Sequence, residues 1–268
     1  MKHEPGIYDV ATGEKLDRTT FYDRLAAATY VLVGESHPEV GDHAEQDRIY
    51  RAMLERHKGF AALGLEMVSR PYQSPLDAYG AGAIDESLML EKLDWETRWG
   101  FEAYMYAPMW RAAKAAGAPI VGLNAKRELT KAVSKLGVEG LDPAMKRNLV
   151  ELDLSNDAHR DWMREIFASH GMTIEESKFE RFYQAQVVWD ETMADTAYRF
   201  MTSNPELVAM VVLAGRGHTE RGWGISSRLE RRIGDSGATV VTVSPMTSPA
   251  PPLEELRDKN VADYIVFR

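Results

Sequence analysis

An α/β fold with a mostly parallel central sheet flanked by helices is what this 268-residue sequence predicts, and three observations carry it. Apolar runs without alternation, at 29–33, 60–66, 118–123, 207–214 and 238–243, read as strands covered on both faces. Segments of helical spacing separate them, and strand–helix alternation implies right-handed crossovers between parallel strands. Two runs also end alike: Val31-Leu-Val-Gly-Glu-Ser-His37 and Val211-Val-Leu-Ala-Gly-Arg-Gly-His218 both pass from strand into Gly-x-x-His. Polar groups just past strand ends are how sites are built at the carboxyl edge of a parallel sheet.

The elements follow in order. Residues 6–17 read as a hairpin turning at Thr12-Gly13, and 19–28 as a first helix. After the strand at 29–33, residues 43–58 have helical spacing, with Ile49, Met53 and Leu54 facing inward. The strand at 60–66 ends on Glu66. Residues 74–93 are helix-prone, 95–109 are rich in aromatics, and 109–116 form a helix stopped by Gly117. The strand at 118–123 ends at Asn124. Residues 141–202 are expected to be helical throughout, an inserted layer within one domain spanning 1–268, with a polar, mobile first part at 153–177. A helix at 224–233, a proline-rich loop at 244–252 and a last edge strand at 263–267 complete the reading.

Composition narrows the function. The chain carries 41 acidic against 32 basic residues, a net charge of −9, which speaks against a nucleic-acid partner. A small anionic ligand held by a few local arginines stays open. With no cysteine, disulfides, thiolate metal sites and cysteine nucleophiles are excluded. No run of about 18 apolar residues exists to cross a bilayer. The N-terminus lacks a signal-peptide core, so the chain is cytoplasmic as written, or periplasmic or membrane-associated if an export signal has been removed.

The candidate site is the set of polar residues that follow strands: Glu35 and His37, Glu66, Asn124 and His218. Two imidazoles and two carboxylates on one edge can perform acid–base work or hold a divalent Zn, Mn or Fe. His43 would add a third imidazole to such a metal set, or simply face solvent at the first turn of its helix. His3, His57, His159 and His170 sit in polar surroundings and read as surface residues. The stretch Trp95, Trp99, Phe101, Tyr104, Tyr106 reads first as core. It would also give a flat wall for a planar ligand such as haem, whose iron takes Tyr or His. Arg127 and Arg228 could grip ligand carboxylates, or pair with surface acids. A phosphate loop, a Gly-x-Ser-x-Gly elbow and His-Glu-x-x-His are all missing.

An ordered set of short motifs resembles the ChaN-like proteins, the haem-binding uptake branch of the Tiki/ChaN superfamily. The set comprises Gly34-Glu-Ser-His37, Leu65-Glu66-Met67, Tyr106-Ala-Pro108, Leu123-Asn124 with Arg127, Ala185-Gln186 with Asp190, Met193-Ala194, Ala214-Gly-Arg-Gly-His218, and Gly224-Ile225 with Arg228. It covers roughly residues 28 to 235. The resemblance implies an α/β fold with a helical insertion and a pocket around the two Gly-x-x-His turns. Tyr106, Asn124, Arg127, Gln186 and Arg228 are its candidate ligand-binding residues. Some ChaN-like proteins are iron-regulated, membrane-associated lipoproteins that bind haem through tyrosine, with stacked haems at a dimer contact. A homodimer is therefore expected here too. Other superfamily members are hydrolases, the Tiki proteases and erythromycin esterases. That implies the alternative in which Glu35, His37, Glu66 and His218 are catalytic in a metal-dependent hydrolase. The chain lacks the lipoprotein's anchoring cysteine, and Tyr183 and Tyr198 in the helical layer are further possible iron ligands.

Overall fold

The computed structural model describes residues 4–169 and 175–268. The chain enters as a hairpin, β1 (Gly6–Asp9) and β2 (Lys15–Leu16), then α1 (Arg18–Ala26), whose first turn is capped by Asp17 on the Thr20 amide. β3 (Tyr30–Glu35) leads into α2 (Val40–Arg56). β4 (Ala61–Ser69) leads to α3 (Gln73–Gly80), α4 (Glu86–Leu93), the single turn α5 (Trp95–Arg98) and α6 (Ala103–Ala116). β5 (Ile120–Asn124) is followed by α7 (Arg127–Leu136), α8 (Pro143–Lys146), α9 (Asp157–Ser169) and α10 (Glu176–Ser203). β6 (Ala209–Gly215) runs into α11 (Arg216–Thr219) and α12 (Ile225–Ile233). Last come β7 (Val240–Met246), α13 (Leu253–Asp258) and β8 (Tyr264–Phe267).

All eight strands form one sheet in the order β2-β1-β8-β7-β3-β6-β4-β5. From β8 to β5 every pairing is parallel, and at one end β1 runs antiparallel to both β2 and β8. The period of two sorts each apolar strand between two cores. Val31, Val33, Leu63, Leu65, Val211 and Leu213 join α1, α2 and α6 in one core. Tyr30, Leu32, Ala62, Met210 and Val212 face Met193, Ala197 and Met201 of α10 and Leu229 of α12 in the other. Burial on both faces is why these strands carry no polar alternation.

Two expectations change. Residues 263–267 do not form an edge strand, because the hairpin strand β1 pairs with β8 and moves it into the sheet. Residues 141–202 are not helical throughout: 149–156 are irregular, and helix begins earlier, at α7. Within that stretch α10 packs, together with α12, on one face of the sheet. Of the stretch at 153–177 expected to be mobile, 170–174 lie outside the described residues, as do His3 and His170.

The helices over that second face are tied by charge. Glu191 of α10 is fully buried and meets Arg231 and Arg232 at 2.7 Å and Arg228 at 3.4 Å, all from α12. Removing one partner of such a buried cluster leaves uncompensated charge.

Candidate functional site

Parallel pairing of β3 with β6 sets Glu35 opposite Gly215, so both Gly-x-x-His turns leave the sheet at the same level of the same edge. Their glycines serve each other. A Cβ on Gly34 would stand 2.7 Å from Thr219 Oγ1 and 3.3 Å from Arg216 Cγ of the other turn. A Cβ on Gly215 would stand 2.8 Å from His37 Cε1. Each turn thus needs a side-chain-free residue in the other to close the gap. Buried Asp42 at the start of α2 adds a polar tie, accepting from the Ser36 amide at 2.8 Å, from Arg216 at 2.9 Å and from Arg268.

Around Glu35 the donors converge. Its carboxylate accepts from the Tyr106 hydroxyl at 2.7 Å and Gln46 Nε2 at 2.8 Å, and meets His37 Nδ1 at 2.8 Å. His37 therefore keeps its other nitrogen, Nε2, for a ligand. Burial would lower the His37 pKa, but the bond to Glu35 and the charges of Glu66 and Glu35 outweigh it and raise it. The Tyr106 hydroxyl is pushed well up, by burial first and by Glu35 second. His43 is buried, with Nδ1 on Gln46 Oε1 at 3.0 Å and Nε2 on the His37 carbonyl at 2.9 Å.

The second cluster is built on Glu66, whose Oε2 accepts the Gly215 amide at 2.6 Å and whose Oε1 lies 3.3 Å from His218 Nε2. His218 Nδ1 meets Asp190 Oδ1 of α10 at 2.6 Å, and Gln186 Nε2 lies 3.0 Å from the same nitrogen. An imidazole between two carboxylates favours its charged form. Burial pulls the His218 pKa down, yet Glu66 and Asp190 override it and raise it to about 10. For Glu66 burial pulls upward, and His218, His37 and the Gly215 amide together bring it below the ordinary value. Behind this cluster lies His159, expected at the surface and found with no exposure at all, 4.0 Å from Asp190 Oδ2. The three aromatic rings of Trp162, Tyr183 and Trp223 that shield it come from α9, α10 and the turn before α12, which a local reading of polarity cannot see.

His37, Glu66 and His218 open on a cavity of about 350 Å³. Trp95, Trp99, Trp189 and Tyr72 wall it, and Asn124, Arg98 and Arg127 line it as well. Asn124 donates to the Glu66 carbonyl at 2.9 Å, bracing β5 against β4, and Arg127 donates to the Thr97 carbonyl at 2.6 Å. Of the other expected ligand-binding residues, Tyr106 and Gln186 stand one step behind the cavity, on Glu35 and on His218. Arg228 is turned away, donating to the carbonyls of Trp223 and Gly224 beside Glu191. Tyr183 is buried on the Asn156 carbonyl. Asp190, Trp189 and Arg98 escaped the residue-by-residue reading. Gln186 and Asp190 share one face of α10 at i, i+4 spacing, a signal that gains meaning only once α10 is set against His218.

The expected metal set does not assemble. Among the described residues no three His, Asp or Glu side chains converge so as to hold an ion. The hydrogen bonds explain it: His43 has both nitrogens engaged, Glu35 holds His37, Tyr106 and Gln46, and His218 stands between Glu66 and Asp190, so His37 Nε2 is left without companions at a common point.

A family model described as haem-binding uptake, Tiki superfamily, ChaN matches residues 21–229. The chain belongs to the ChaN family. The fold is similar to ChaN of Campylobacter jejuni, a structure described as showing cofacial heme binding, with TM-score 0.75 and 22% identity over 97% of this chain and 94% of that one. It is similar at TM-score 0.52 to the type III effector HopBA1, with 13% identity over 92% and 91% of the two chains. An erythromycin esterase in its open conformation also gives TM-score 0.52, with 12% identity over 93% and 81%. At these identities the likeness is one of fold. Among curated proteins none matches.

The His218 cluster has a pH signature. Its folded pKa of about 10 stands above the unfolded 6.5, so its stabilisation is complete below pH 6.5 and lost as pH rises toward 10. Urea denaturation of wild type and His218→Gln should show a stability gap that is widest near pH 6 and narrows steadily toward pH 10. A gap constant from pH 6 to pH 10 would contradict the clamp.

Proposed function

We propose that this ChaN-family chain binds haem at the carboxyl edge of its sheet and serves in haem or iron acquisition. The observation that carries the reading is His37 Nε2, left over after Nδ1 is taken by Glu35, on a cavity walled by Trp95, Trp99, Trp189 and Tyr72. Aromatic walls suit a porphyrin face, and imidazole is an ordinary iron ligand. Arg98 and Arg127 supply guanidinium groups for the two propionates. The family description supports this reading, as does the cofacial heme binding of the Campylobacter jejuni ChaN structure.

The residues present fit the group with one change of role from the sequence expectation. Tyr106 and Tyr183 are both fully buried with their hydroxyls engaged, and His37, whose Nε2 faces the cavity, takes their place as the proposed iron ligand. Bound iron would supply the axial coordination bond, and the chain would supply walls, charge and orientation. At about 350 Å³ the cavity is at the small end of ligand pockets, so it would enclose one part of a porphyrin and leave the rest to a second copy of the chain.

Hemin titrated into the protein should bring a Soret band distinct from that of free hemin. His37→Ala should weaken binding by about tenfold or more and change the band position, about 1.4 kcal/mol per factor of ten. Arg127→Ala should weaken binding by a similar factor with the band position kept. A spectrum identical to hemin in buffer would remove the reading.

A second reading is favoured by the Glu66–His218–Asp190 clamp, which storage of haem does not call for. In it the pocket hydrolyses an ester or amide without a metal: His37, with a free nitrogen, takes a proton from water, and His218, charged, donates to the leaving group. Chromogenic esters of differing size should then be cleaved by wild type and at least a hundredfold more slowly by His37→Ala and by His218→Ala. Equal background rates in all three proteins would discard it.

A further inference from the structure

Among the buried polar atoms of the described residues that stand without hydrogen-bond partners are His159 Nδ1, His159 Nε2 and Asp190 Oδ2. Two of them face each other, His159 Nε2 lying 4.0 Å from Asp190 Oδ2. A buried polar group left unmet carries its full desolvation cost, which is a reason for the pair to close. Closing to hydrogen-bond length takes a movement of about 1 Å. The other oxygen of the same carboxylate already meets His218 Nδ1 at 2.6 Å.

We propose that His159 is a positioning residue for the pocket: it donates from Nε2 to Asp190 Oδ2, so that Asp190 is held between two imidazoles and His218 keeps its orientation toward Glu66. The donation comes from the neutral ring. Burial pushes the His159 pKa down to about 4, with Arg228 and His218 adding to that and Asp190 opposing it. A neutral imidazole carries its proton on one nitrogen, and the carboxylate selects Nε2. Among the described residues, three aromatic rings pack against His159. Trp162 comes from α9, Tyr183 from α10 with its hydroxyl on the Asn156 carbonyl, and Trp223 from the turn before α12. The charged neighbours are Asp190, Arg228 and His218.

The role joins the helical layer to the strand-end site. His159 sits on α9, Asp190 on α10 and His218 on α11, so one hydrogen-bonded chain runs from the outer helices to Glu66 on β4. The chain is independent of what the cavity binds, and its test needs no ligand.

The measurement is ¹⁵N NMR of the imidazoles in the ligand-free wild-type protein at pH 7. The His159 resonances are assigned by their proximity to Trp162 and Tyr183. The expected pattern is a neutral ring protonated on Nε2, together with a far-downfield, slowly exchanging proton on His218 Nδ1. In His159→Phe, which keeps an aromatic ring among Trp162, Tyr183 and Trp223, that downfield proton should exchange at least tenfold faster. In His159→Gln, which retains a donor, its exchange should return toward wild type. A His159 ring protonated on Nδ1 in the wild type overturns the proposal whatever the variants do. So does a His218 proton whose exchange is unchanged in a folded His159→Phe.

Discussion

Everything at the site depends on two turns fitting against each other without side chains between them. β3 and β6 are neighbours in parallel register, and this alone brings residues almost 180 positions apart to one edge. Neighbouring strands lie about 4.8 Å apart, a spacing that leaves little room above the sheet for turns that must also carry imidazoles. Gly34 and Gly215 supply the room. Because each one's missing Cβ is filled by the opposite turn, the two motifs are parts of a single structure and not two copies of one device.

From that constraint the chemistry separates into two unlike halves. His37 leans on a carboxylate that also holds Tyr106 and Gln46, and it retains a free nitrogen. His218 is held by a carboxylate on each side and is drawn to its charged form. The same residue type therefore keeps one nitrogen unengaged at one place and faces carboxylates with both nitrogens at the other, and the environment makes the difference. A pocket of this kind can ligate, donate and accept within one cavity.

Much of this was legible in the residues because it is local. Uninterrupted apolar runs gave the buried strands, and a polar residue at the end of each run gave Glu35, Glu66, Asn124 and His218. What was hidden is what tertiary packing decides. His159 looks polar in its own neighbourhood and is buried because aromatic rings from three separate stretches close over it. Arg228 reads as a partner for a ligand carboxylate or a surface acid and is paired instead with buried Glu191 on the facing helix. The 263–267 strand looks terminal and is interior because a hairpin at the other end of the chain pairs with it. Asp190 carried a motif, but its role needed the path of α10 across the sheet.

The absence of native cysteine permits the most direct check of the shared edge. In the double variant His37→Cys/His218→Cys, a short homobifunctional thiol cross-linker should join the two positions within one chain. Mass spectrometry would find a single bridged species, formed in the native protein and not in urea. Two separately capped thiols with no bridge, in a protein that remains folded, would contradict the claim that these turns meet.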